Sequence, residues 1–201
     1  MRLTFVLSAT LLFAACGGED LTVPAPVGST GKFSTSNKIQ AHLDGKTLSM
    51  VTIPSHPNGF DEDVNFGQAT QCYKTVTMKP QGGRIQVISE LGTLMNAAMT
   101  GTRGECDHTS LSAQLTFDST AVLIENVKNN GACFDFTVTF PGFGQEGRGS
   151  LNADGTTLIL ELFFKDQATG HRCADGNVGD PTVTLSQAMF TGDAKQTYSV
   201  Q

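Results

Sequence analysis

From residue 38 onward, apolar and polar positions alternate in short runs, each ended by residues that bend the backbone. Residues 39–43 alternate, Asp44 and Gly45 follow, and 47–51 alternate again. An Asp-Gly pair between alternating runs is a hairpin signal, because glycine accepts the positive φ of a tight turn. Residues 53–67 read as a loop, with Pro54, Pro57, Asn58, Gly59 and the acidic trio Asp61, Glu62 and Asp63. Runs at 70–78 and 84–91 flank Pro80, Gln81, Gly82 and Gly83, and a weaker run follows at 94–100. After a polar loop around Cys106, strands are expected at 111–117, 121–127 and 133–140. The last alternates cleanly: Cys133, Asp135, Thr137 and Thr139 share one face, and Phe134, Phe136, Val138 and Phe140 the other. A second Asp-Gly hairpin, at Asp154 and Gly155, joins 149–152 to 157–164, and a final strand covers 182–190.

No run of helical length keeps a 3.6-residue period. About ten short strands joined by hairpin-type turns indicate an all-β antiparallel meander. Open sheet edges invite aggregation, so such a meander closes into a small barrel or folds into a two-sheet sandwich. The barrel is the first expectation. The domain divides as a leader over 1–15, a flexible tether over 16–37, the β domain over 38–190 and a polar tail over 191–201. The tether assignment rests on Gly, Ser, Thr and Pro with few bulky apolar residues, a composition that cannot offset the entropy of ordering.

The N-terminus sets the compartment. Arg2 precedes an apolar run over 3–15, broken only by Thr4, Ser8 and Thr10. This has the make-up of an export signal and is too short to span a bilayer, which takes roughly 20 apolar residues. It ends Leu12-Phe13-Ala14-Ala15-Cys16, which resembles the lipobox of bacterial lipoproteins, with Phe13 where that pattern usually has leucine. The resemblance implies cleavage before Cys16, a diacylglycerol thioether on its sulfur and an acylated amine. Gly17 follows where an aspartate would resemble an inner-membrane retention signal, so the outer membrane is the expected location. The alternative is an ordinary secretory signal cut at a nearby Ala-x-Ala-like site.

The formal charge is −6, and losing Arg2 makes the mature chain more acidic. An acidic chain with dispersed lysines argues against nucleic acid, which needs clustered cations. It argues equally against a basic patch on anionic lipid, leaving the acyl anchor as the membrane contact. Beyond Cys16 there are Cys72, Cys106, Cys133 and Cys173, an even number that reads as two disulfides in an oxidising compartment. A four-cysteine zinc site would need paired C-x-x-C spacing, which is lacking. Strand parity in a simple up-and-down meander favours Cys106–Cys133 and Cys72–Cys173, whereas proximity in sequence favours Cys72–Cys106 and Cys133–Cys173.

Candidate chemistry is sparse. His108 and His171 lie two residues from Cys106 and Cys173, and an imidazole pair could ligate a metal or move a proton. The trio Asp61, Glu62 and Asp63, with Asn58 and Asn65, offers oxygen ligands of the kind calcium prefers but not EF-hand spacing. Asp175, Asn177 and Asp180 form a similar loose group that turn chemistry explains as well. Gly142, Gly144 and Gly147 have a nucleotide-loop spacing but sit between strands rather than before a helix. Glu125 and Glu161 could be a carboxylate pair, although carboxylates on strands default to a solvated face. Phe117, Phe134, Phe136 and Phe140, with Phe163 or Phe164, read first as a packed core and second as the lining of a ligand cavity. Gly31-Lys32-Phe33 is similar to the Gly-x-Trp opening of lipocalins, with phenylalanine in place of tryptophan.

No catalytic set and no cofactor is implied. The expected role is a lipid-anchored envelope protein that binds a protein partner or a small apolar ligand, or serves structurally. The rival is an envelope hydrolase or hydrolase inhibitor using the loops 54–67, 102–110 and 166–180 at one barrel end.

Overall fold

The computed structural model describes residues 31–52, 73–95, 105–185 and 195–201. Their elements are helix α1 (Ser36–Leu43) and thirteen strands: β1 (Leu48–Thr52), β2 (Tyr73–Gln81), β3 (Arg84–Leu91), β4 (Thr93–Met95), β5 (Glu105–Asp107), β6 (Ala113–Asp118), β7 (Ala121–Lys128), β8 (Cys133–Phe140), β9 (Phe143–Leu151), β10 (Thr157–Phe164), β11 (Ala168–Thr169), β12 (Thr184–Leu185) and β13 (Lys195–Val200). Nine of them form one antiparallel sheet in the order β6-β3-β2-β1-β13-β10-β9-β8-β7. The edge strands β6 and β7 are consecutive in the chain: β6 pairs with β3, and after Ser119 and Thr120 the same run pairs with β8. At the kink, Ser119 N–H donates to Ile85 O at 2.9 Å, Thr120 N–H to Thr139 O at 2.7 Å and Val122 N–H to Gly83 O at 2.8 Å. One kinked run therefore serves both edges, and the sheet curls into a small barrel. The all-β barrel expected from the alternation is the architecture observed, and the sandwich alternative is not adopted.

Residues 39–43, expected to be a strand, are the second half of α1. Ile39 and Leu43, both buried, are spaced i, i+4, which fits a strand face and a helix face equally well. The cap decides: Thr35 is extended and its hydroxyl accepts the Lys38 N–H, satisfying a donor that a helix start leaves open. Asp44 and Gly45 consequently end a helix rather than turn a hairpin. Gly45 N–H donates to Pro80 O, and the Asp44 carboxylate accepts from Gly82 N–H, pinning the helix end to the β2–β3 turn. Phe33, fully buried, packs beside Gly131 and Gly155, and its N–H donates to the Asn130 side chain. His42 Nε2 lies 2.9 Å from Gly155 O. Three hairpin turns (82–83, 129–131 and 152–156) thus meet α1 and Phe33, which seal this end of the barrel. Residues 31–37, inside the stretch assigned to a flexible tether, are built into the fold through buried Phe33 and the Thr35 cap.

The polar tail expected over 191–201 is corrected by β13, which lies between β1 and β10 in the middle of the sheet. Its Tyr198 pairs with Met50 on one side and Leu158 on the other and is almost wholly buried. In β8 the inward face is Phe134, Phe136, Val138 and Phe140, as the alternation indicated. Opposite Phe134 and Phe136, β9 presents Gly149 and Gly147. A Cβ on Gly149 would sit 2.6 Å from the Phe134 ring, and one on Gly147 only 1.9 Å from Glu161 O. The glycine run of β9 therefore serves close packing within the sheet, which agrees with rejecting a nucleotide loop.

Candidate functional site

The described residues leave part of the barrel interior unfilled. At the end away from α1 it holds a cavity of about 380 Å³, lined by Val76, Met78, Ile85, Val87, Phe136, Val138 and Leu162, the rings of Phe117, Phe140, Phe143 and Phe164, and the polar groups of Tyr73, Ser89, Gln145, Gln196 and Tyr198. The strands create it by alternation, since each contributes its inward side chains, and among the described residues only the α1 end is plugged. Phe140 and Phe143 stack at 4.7 Å with 20° between ring planes, and Phe117 and Phe164 meet Phe143 edge-on at 5.6 and 6.2 Å. These contacts are the favoured geometries of aromatic pairs. The rings thus brace one another as a wall instead of collapsing into the centre, while aliphatic side chains of β2 and β3 form the facing wall.

Among the described residues, no lining side chain carries a formal charge. Tyr198 Oη donates to Gln196 Oε1 at 2.5 Å. Burial pushes the Tyr198 phenol well above its ordinary range, and the neighbouring Tyr73 adds to the shift. Burial raises Tyr73 likewise. Both phenols are therefore neutral hydrogen-bonding groups at any physiological pH. A concave, mostly apolar space of this size with a few convergent polar groups has the make-up of a small-molecule site.

A second cluster lies on the outer face of β8, β9 and β10. Asp135, Arg148 and Glu161 are register neighbours across these strands. Arg148 is fully buried; its Nε donates to Glu161 Oε2 at 2.7 Å, Nη1 to Thr182 Oγ1 and Nη2 to Asp180 O. Gly179 N–H donates to the same Glu161 oxygen. Asp135 accepts from Cys173 N–H and from Asn126 Nδ2. Glu146 accepts from Arg172 Nη2 and from Asp166 N–H. The segment 165–185 is therefore a strap laid across the outside of the sheet, with Phe163 buried beneath it. Each carboxylate in this cluster is already engaged, so its chemistry is that of a clamp.

The strap also decides a cysteine pairing. Cys133 and Cys173 form a disulfide, which overturns the parity pairing for these two and matches pairing by proximity. Parity fails because the chain after β10 does not continue up and down; it doubles back over the outer face and returns Cys173 to the start of β8. Cys72 lies outside the described residues, as do Cys16, His56, Asn58, Asn65 and the trio Asp61, Glu62 and Asp63; of Cys106 only the backbone in β5 is described.

His108 and His171 are not a pair. The Nδ1 of His108 lies 2.6 Å from Tyr73 O at the start of β2. His171 is part of the strap and faces Phe163; among the described residues its ring nitrogens find no hydrogen-bond partner, and Nε2 is 3.5 Å from Glu146 Oε1. Burial, and next the Arg172 charge, lower its pKa. Glu125 and Glu161 do not form a catalytic couple either: Glu125 is exposed, while Glu161, expected on a solvated face, is buried against Arg148. Asp175 and Asp180 accept the backbone N–H groups of Arg172 and Asn177 as turn residues do. Among the described residues no three His, Cys, Asp or Glu side chains gather as a metal site.

The Arg148–Glu161 pair went unread in the sequence although a signal for it existed. Counting outward from the hairpin at Asp154 and Gly155 places 148 opposite 161, and two opposite charges facing each other across strands stabilise a sheet. No family model, curated protein or solved structure matches the chain.

Proposed function

We propose that this protein is a lipid-anchored envelope protein, tethered to the outer membrane through Cys16, whose barrel binds a small apolar ligand without catalysing a reaction on it. The cavity of about 380 Å³ carries this reading. A barrel that served only as a structural module would gain stability by filling that space, because every cavity costs the dispersion contacts its walls forgo. The aromatic rings here are braced against each other in a way that keeps the space open. What supports binding over hydrolysis is the state of the carboxylates: Asp135, Glu146 and Glu161 are each committed to the strap. What supports the anchor is the sequence Leu12-Phe13-Ala14-Ala15-Cys16 at the end of an export-type apolar run.

Mass spectrometry of the protein isolated from its own envelope tests both halves. The intact mass should exceed that of the chain cut before Cys16 by a set of acyl groups, and a native spray should release a small apolar molecule. A leader left uncut removes the anchor. A cavity that neither retains a ligand nor takes one up on titration removes the binding role.

A further inference from the structure

We infer that the cavity, on the reading that it is a binding site, selects an uncharged amphiphile, a chain or ring carrying one hydrogen-bonding end such as a hydroxyl, ester or carbonyl, and rejects fatty acids and cationic amphiphiles. The argument begins with the lining. Among the described residues the lining is mostly hydrocarbon and its polar groups are all neutral: two carboxamides, two phenols and one serine hydroxyl. A carboxylate or ammonium taken inside would lose its hydration and gain no countercharge, and an unpaired ion in an apolar site is far costlier than a neutral polar group. On β9 and β10 the charged side chains next to the lining face the other way. On β9, Gln145 lines the cavity while its neighbour Glu146 turns outward to Arg172. On β10, Leu160 and Leu162 point in, and Glu161 between them turns out to Arg148. The period-two alternation that builds the barrel has thus sorted the charge of β9 and β10 onto the strap side.

Neutral donors and acceptors remain to orient a ligand. Gln145 and Gln196 each offer a carboxamide able both to give and to accept a hydrogen bond, and the Tyr73 phenol is a donor held in its protonated form. An alcohol or ester can satisfy them without bringing a charge into the barrel.

The test compares two ligands of one chain length, 1-octanol and octanoate, on the purified full chain held in amphipol at about pH 8, where the carboxylic acid is ionised. The readout is the ¹³C-methyl resonance of Met78, which lines the cavity and is identified by its loss in Met78→Leu; it reports entry into the barrel rather than into the surrounding amphipol. Octanol should shift this resonance saturably, and octanoate should bind at least about tenfold more weakly, a difference of about 1.4 kcal/mol. Gln145→Lys, which puts a cation in the wall, should reverse the order by drawing octanoate in; Gln196→Lys serves the same purpose if the first variant does not fold. Equal affinity for both ligands would overturn the selection for uncharged molecules and leave the binding role standing. No shift of Met78 with either ligand up to the solubility limit would overturn the binding role itself.

Discussion

Replacing Cys133 and Cys173 together by alanine tests how the strap is held. The bridge joins residues 40 apart in sequence. In the chain-entropy treatment, closing a loop of that length removes about 13 cal/mol/K from the unfolded ensemble, or about 4 kcal/mol at room temperature. The strap has other fastenings that the substitution leaves intact: Cys173 N–H to Asp135 at 2.8 Å, Lys128 Nζ to Cys173 O, and Arg148 to Asp180 O at 2.8 Å. The loss should therefore fall on the unfolded state, with the native strap still seated. Urea unfolding followed by far-UV circular dichroism should show a drop of about 3–4 kcal/mol with a steeper denaturant slope, because the uncrosslinked chain unfolds to a more exposed ensemble. Hydrogen exchange should find the amides of Cys173 and Gly179 still protected. A loss under about 1 kcal/mol would refute the entropic assignment. Collapse of strap protection with an unchanged barrel would show that the sulfur bridge alone holds the strap, against the polar clamp described above.

Arg148→Met should destabilise by about 3–5 kcal/mol, since it strands Glu161 in a buried site, and Arg148→Met with Glu161→Leu should recover part of that loss; a double-mutant cycle in urea with no coupling would contradict the clamp. For His171, the folded pKa lies below the unfolded value near 6.5. The stability it contributes is full above that value and is lost as pH falls toward the folded pKa, so thermal melts between about pH 7 and 5 should decline more steeply for the native protein than for His171→Leu. Identical slopes would remove His171 from the pH response. Gly147→Ala places a methyl group against the Glu161 carbonyl and should cost about 1–3 kcal/mol by forcing β9 and β10 apart; an unchanged melting temperature would count against that packing. A non-reducing peptide map should join Cys72 to Cys106, because His108 reaches Tyr73 O and brings the chain segments beside the two cysteines together; recovery of either as a free thiol would deny it.

The strands that announced themselves were those with one wet and one dry face and an unambiguous turn. β3, β8 and β10 fall at 84–91, 133–140 and 157–164, where alternation placed them. The elements that stayed hidden did so for physical reasons. In β9, glycines at 144, 147 and 149 leave little alternation to read, although the Phe134 ring requires Gly149 and the Glu161 carbonyl requires Gly147 to lack a side chain. In β13, the sequence Lys-Gln-Thr-Tyr-Ser-Val is too polar to suggest a central strand, and Tyr198 is its one fully buried side chain. The i, i+4 spacing of Ile39 and Leu43 satisfied two periods at once, and only Thr35 distinguished them. The cavity was foreseen only as an alternative, because a count of phenylalanines cannot tell rings that fill a space from rings that wall it. Phe163 and Phe164 illustrate this: adjacent in sequence, one is sealed beneath the strap and the other faces the cavity.

The place of β13 bears on how the molecule is made. Residues 195–200 bridge strand 48–52 to strand 157–164, so this seam of the wall cannot close until that late stretch is available, although β6 and β7 already join the other side. Until then β1 and β10 each lack one strand neighbour, and contacts of such long sequence separation form slowly. On the proposed export route, this seam between strands 48–52 and 157–164 would be the last part of the wall to close.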